Sequence, residues 1–133
     1  IINTLIWSIM LYGSESWTLR KNNIKQIEAA EMWVWRRILK ISWRDRLTNI
    51  AVRQRIGQTE SIKDTIYKRK RTWIGHILRG NEYLRNIIEG HMEGRKPRGR
   101  PRTSMFDELK LNTTYSEMKA AAQNRNLWKS WKP

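Results

Sequence analysis

Apolar residues recur every three or four positions through most of the chain. That is the spacing of one face of an α-helix, not the two-residue alternation of a strand. The clearest case runs from Asn22 to Lys40, where Ile24, Ile27, Ala30, Val34, Trp35, Ile38 and Leu39 form a stripe that only Glu31 breaks. Asn22 or Asn23 is the expected cap, and Arg36, Arg37 and Lys40 suit the negative end of the helix dipole. A second amphipathic helix is expected over Ile62 to Arg79, with Ile62, Ile66, Trp73, Ile74, Ile77 and Leu78 on its apolar side. Ser61 and Asp64 frame its start as a capping box, with Asp in place of the usual Glu or Gln, and Gly80-Asn81 ends it. Gly75 in mid-helix costs about 1 kcal/mol relative to Ala, a cost that predicts a close helix contact there.

The remaining segments are shorter. Ile1 to Trp17 reads as a buried helix followed by a Gly/Ser turn. Between Ile41 and Gln58 a short helix is expected, capped by Thr48 and stopped by Gly57. Gly90, Gly94, Pro97, Gly99 and Pro101 exclude a helix through 86–102, and residues 87–94 allow a short hairpin. A short helix over Thr103 to Leu111 follows, then one over Tyr115 to Trp131 with Thr114 and Glu117 as its capping box. The expected fold class is all-α. Five or six helices form a small bundle with one basic Gly/Pro-rich irregular loop.

Composition narrows the class. The chain has 133 residues, no Cys and a mean hydropathy of −0.75. Without Cys there is no disulfide scaffold, no thiolate chemistry and none of the usual zinc sites. The longest apolar stretch, Ile1 to Gly13, is shorter than the ~20 residues of a membrane span and lacks the pattern of a signal peptide. The expectation is an intracellular protein, nuclear or cytoplasmic, not secreted and without a membrane partner. The first residue is not Met, which suggests a fragment of something longer.

Charge changes the picture most. Lys and Arg total 27 against 12 Asp and Glu, a net +15. Arg36 to Arg102 holds 19 basic and 6 acidic residues, hence +13 of that excess. A field of this size calls for a polyanion, nucleic acid first. The candidate phosphate contacts are Arg36, Arg37, Arg44, Arg46, Lys68, Arg69, Lys70, Arg71, Arg95, Lys96, Arg98, Arg100 and Arg102. Lys68 to Arg71 wrap four charges around one helical turn, so some must face solvent or a phosphate. Trp35 and Trp73 fit the apolar stripes as core. Trp33 and Trp43, on a helix flank and beside Arg44, are the candidates for stacking on bases.

Arg98-Gly99-Arg100-Pro101 has the makeup of an AT-hook minor-groove binder, in which Gly lets the backbone lie flat and Arg reaches along the groove floor. Non-specific phosphate contact and a solvated linker are the other readings of the same string. Catalytic readings are weak. Asp107-Glu108 is the only adjacent acidic pair, and on a helix its side chains diverge. Glu28 and Glu31 fit salt bridges. His76 and His91 have no partner at ligand spacing, and His76 reads as a packed histidine. No P-loop is present.

Four ordered motifs carry a family resemblance: Leu11-Tyr12-Gly13-Ser14-Glu15-Ser16-Trp17-Thr18-Leu19; Glu31-Met32-Trp33 with Trp35-Arg36-Arg37-Ile38-Leu39-Lys40-Ile41-Ser42-Trp43; Trp73-Ile74-Gly75-His76-Ile77-Leu78-Arg79; and Gly94-Arg95-Lys96-Pro97-Arg98-Gly99-Arg100-Pro101-Arg102. Together they make the chain resemble the C-terminal, post-palm region of LINE-type (non-LTR) retrotransposon endonuclease–reverse transcriptases. The resemblance implies a thumb-like region over 1–85, a basic loop over 86–102 and a C-terminal helical extension over 103–133. It implies a role in holding template and primer, whether DNA, RNA or hybrid, beside upstream palm and endonuclease domains. The family's catalytic aspartates and their Mg lie in that palm. No catalytic residue maps here, no cofactor is expected in this chain, and it is expected to be inactive alone. Ser14, Val34 and Met105 depart from the family pattern, as do Ile50 and Ala51. A basic helical interaction module, or a non-functional remnant of a decayed element, is the alternative.

Overall fold

The structure, a computed structural model, describes residues 2–57, 60–80, 82–90, 98–99, 104–110 and 113–131. Among these the protein is all-α, without a strand. Its helices are α1 (Ile2–Met10), α2 (Lys21–Ile38), α3 (Asn49–Ile56), α4 (Ile62–Arg79), α5 (Glu82–Glu89), α6 (Asp107–Lys110), α7 (Tyr115–Gln123) and α8 (Arg125–Ser130).

Local side-chain chemistry sets most boundaries. Thr48 Oγ1 accepts from Ala51 N at the start of α3, and Gly57 closes it in the left-handed conformation. Ser61 Oγ accepts from Asp64 N while Asp64 Oδ2 accepts from Ser61 N at 3.0 Å, the expected box on α4. Thr114 and Glu117 exchange the same pair of bonds at α7.

Four expectations are corrected. At α2 the cap position is Arg20, and Asn23 acts from inside the first turn, its Oδ1 accepting from Arg20 N. The single helix over Tyr115 to Trp131 is two helices, because Asn124 Oδ1 accepts from Asn126 N and Leu127 N and so starts α8 afresh. The hairpin over 87–94 gives way to helix: Tyr83, Leu84, Ile87 and Ile88 stand at three- and four-residue spacing, and α5 runs through Glu89. Residues 91–94 lie outside the described residues. The first helix is only partly buried. Trp7 and Leu11 pack inward, whereas Leu5, Ile6 and Ile9 are exposed.

The chain divides into two compact units, Ile1–Ser14 with Leu19–Lys68, and Glu15–Thr18 with Arg69–Pro133. The division falls inside α4. The first unit buries Trp7, Leu11, Leu19, Met32, Trp35, Val52, Ile62 and Ile66. Trp7 and Trp35 meet edge to face at 6.2 Å, a favoured aromatic geometry. Glu31, the break in the α2 stripe, is buried here. Its carboxylate accepts from Arg53 Nη2 on α3 and from Ile62 N at the start of α4, each at 3.3 Å. Burial pushes the Glu31 carboxyl above its ordinary range, and the Arg53 charge opposes the shift.

The second unit packs Ile74, Leu78, Leu109, Met118, Ala122 and Trp128 into one core. Gly75 is where α4 meets Trp128: a Cβ there would overlap the indole Nε1 and stand 2.6 Å from its Cδ1. The expected close contact is thus a tryptophan ring. That ring is fixed by Trp128 Nε1 donating to Arg71 O at 2.8 Å. Across α5 and α7, Glu89 accepts from Tyr115 Oη and Lys119 Nζ. Trp73, expected in the core, is 37% exposed and sits on the shoulder of its stripe.

Candidate nucleic-acid interface

The C-terminal end of α2 and the turn after it gather most of the predicted contacts that remain accessible. The helix stops in a Schellman arrangement: Lys40 N donates to Arg37 O at 3.2 Å and Ile41 N to Arg36 O at 2.9 Å. The residue that must turn left-handed is Lys40, at φ 53°, where Gly is usual. A 3₁₀ turn over Trp43–Asp45 follows, closed by Ser42 and Asp45. Asp45 Oδ2 accepts from Ser42 N at 2.7 Å, and Ser42 Oγ accepts from Arg44 N. Arg46 then leaves the turn at φ 46°. Lys40 and Arg46 are the two non-glycine residues with positive φ among those described, and they bracket the turn. Such residues persist only where surrounding structure fixes them.

Arg36 supplies that fixing. Its carbonyl holds Ile41 at one end of the turn. Its Nη2 donates to Leu47 O at 3.0 Å and to Asn49 Oδ1 at 2.7 Å at the other. Arg36 therefore positions the turn, a role beyond the phosphate contact expected of it. Arg37, Lys40, Arg44 and Arg46 are all exposed. Asp45, the acid among them, is turned back onto Ser42. Trp43 is 83% exposed, with the Arg44 guanidinium 5.7 Å from its ring centre. Trp33 is 64% exposed, with Arg37, one turn further along α2, at 5.6 Å.

The run Lys68 to Arg71 behaves differently. Lys70 is fully buried and pairs with Glu108 at 2.6 Å, donating also to Trp17 O. It cannot reach a phosphate, so its assignment as a contact is corrected. Arg71 donates to Trp131 O, Arg69 is half-buried, and Lys68 stays exposed near Glu60 at 3.4 Å. Arg98 is exposed beside Gly99, whose φ of 113° favours glycine. Arg95, Lys96, Arg100 and Arg102 lie outside the described residues. His76 is exposed, not packed. Asp107 and Glu108 diverge as expected, and Glu108 serves Lys70.

Sequence reasoning gave Lys40 to the helix dipole and left it out of the site. The signal that marks it is a Lys directly after the apolar stripe ends, where a helix of this kind usually has Gly. Among the described residues no three acidic or histidine side chains gather where they could hold a metal ion. No helix there is long and apolar enough to cross a membrane. Set against family models, curated proteins and solved structures, the chain matches none.

Proposed function

We propose that the chain binds nucleic acid through the sugar-phosphate backbone, as the non-catalytic C-terminal region of a LINE-type endonuclease–reverse transcriptase. On this reading it grips template and primer, while chemistry and Mg belong to a palm domain upstream. One observation carries the proposal. Four exposed cations, Arg37, Lys40, Arg44 and Arg46, stand within ten residues at the end of α2, on a turn whose ends are tied by Arg36. Fixed cations of one sign suit a polyanion.

Salt dependence tests it. Four phosphate contacts give log K against log salt a slope of about −3.6 on duplex and about −2.8 on a single strand. Replacing Arg37, Arg44 and Arg46 by Gln removes about three-quarters of that share. A flat salt response of the unaltered chain sinks the proposal. Displacement by heparin, but not by nucleic acid of equal charge, replaces it with docking on an acidic protein.

A further inference from the structure

The phosphate reading leaves two features unused: the exposure of Trp33 and Trp43, and the turn geometry that presents Trp43. Large aromatic rings are normally withdrawn from water, and Trp7, Trp35 and Trp128 here are. Trp43 sits at the tip of a turn closed by three interactions. These are the Ser42–Asp45 pair, the left-handed Lys40 and Arg46, and the Arg36 tie to Leu47. The turn thus holds the ring outward by construction and does not leave it there for lack of a core.

Trp33 and Trp43 each also carry an arginine. A guanidinium near a ring polarises it and stands ready for the phosphate next to a stacked base. In a duplex, bases are stacked on each other and offer no free face. Only unpaired nucleotides do. We infer that the Trp43–Arg44 pair is a stacking platform for unpaired bases, with Trp33–Arg37 on α2 a second exposed pair of the same kind, so that the nucleic acid engaged here is single-stranded or carries an unpaired end. The inference rests on the backbone-binding reading and adds the base.

The test separates the two. The full chain is titrated with an oligothymidylate of about 12 nucleotides, inside the range of single-strand site sizes, and with an abasic strand of the same length and charge. The unaltered chain should bind the strand with bases about 5- to 150-fold more tightly. Trp43→Ala should abolish most of that preference, lowering affinity for the strand with bases far more than affinity for the abasic strand. Trp43→Phe, which keeps a flat ring, should retain part of it and shows that the loss is not misfolding. Equal affinity of the unaltered chain for both strands overturns the stacking inference. So does a preference that survives Trp43→Ala undiminished. Either result leaves backbone binding standing, because only loss of salt dependence on both strands removes that.

Discussion

Lys70 Nζ on α4 lies 2.6 Å from Glu108 Oε2 on α6, with the lysine side chain fully buried and the glutamate side chain nearly so. A buried ammonium is tolerated only with its counter-charge in place, so breaking the pair from one side is worse than never having it. Glu108→Ala should therefore cost about 3–5 kcal/mol in urea denaturation. The double variant Lys70→Met, Glu108→Leu should lose less than Glu108→Ala alone, although Trp17 O gives up its donor. Losses that simply add would mean the two groups do not act as a pair. The same burial predicts that Lys70→Met, where folded, leaves nucleic-acid affinity unchanged.

Gly75 is predicted to resist the usual helix logic. Gly→Ala in a helix interior should gain about 1 kcal/mol. Here the added Cβ meets the Trp128 indole, which is pinned by its bond to Arg71 O. Overpacking of this kind costs about 1–3 kcal/mol, so Gly75→Ala should lower the melting temperature, not raise it. In a Trp128→Phe background, where the ring is smaller, the same substitution should cost less. A stabilising Gly75→Ala in the unaltered chain would show that the ring moves aside freely.

Glu31 and Glu89 should respond to pH in opposite directions. Burial raises the Glu31 carboxyl, so between its ordinary value of 4.5 and its folded value the native state holds a proton that the unfolded chain has lost. Its contribution to stability is full below 4.5 and falls as pH rises through the folded value. The hydrogen bond from Lys119, then that from Tyr115, lowers the Glu89 carboxyl. Its contribution is full above 4.5 and is lost as pH falls through its folded value. Urea midpoints across this range, compared with Glu31→Gln and Glu89→Gln, check both. The gap to Glu31→Gln should move against the unaltered chain as pH rises, and the gap to Glu89→Gln in its favour.

The parts of the fold that were legible in the sequence are the parts decided within a few residues. Thr48, Gly57, Ser61 with Asp64, and Thr114 with Glu117 act on their own backbone, so their roles could be read without knowing what packs where. Asn124 also acts locally, but inside a helical pattern a cap and an ordinary polar residue look alike. Gly75 announced a close contact without naming Trp128, because the partner lies far along the chain. Lys70 was more legible than its charge suggested: it stands four residues from Ile66 and four from Ile74, squarely in the apolar stripe. Assigning all four charges of the run to phosphate passed over that spacing. Which cations gather at 37–46 depended on the Arg36 bonds to Leu47 and Asn49, across 11 and 13 residues, which no periodicity encodes.

Lys40 sets stability against binding in a single residue. At the Schellman position its left-handed backbone, φ 53°, carries a steric cost that Gly does not have. Nothing in the hydrogen bonding of the turn needs the side chain, since Lys40 N and Ile41 N make the closing bonds. Lys40→Gly should therefore raise stability by up to about 1 kcal/mol, net of the extra freedom Gly gives the unfolded chain. If the ammonium contacts a phosphate, the same substitution should weaken binding at low salt and reduce the salt slope by about 0.7 on a single strand or about 0.9 on duplex. Melting curves and a salt titration on one purified variant measure both. A more stable variant with an unchanged slope would remove Lys40 from the interface and leave Arg37, Arg44 and Arg46 to carry it. A slope that falls while stability rises would mean that the strained turn is kept for the charge it holds out to the ligand.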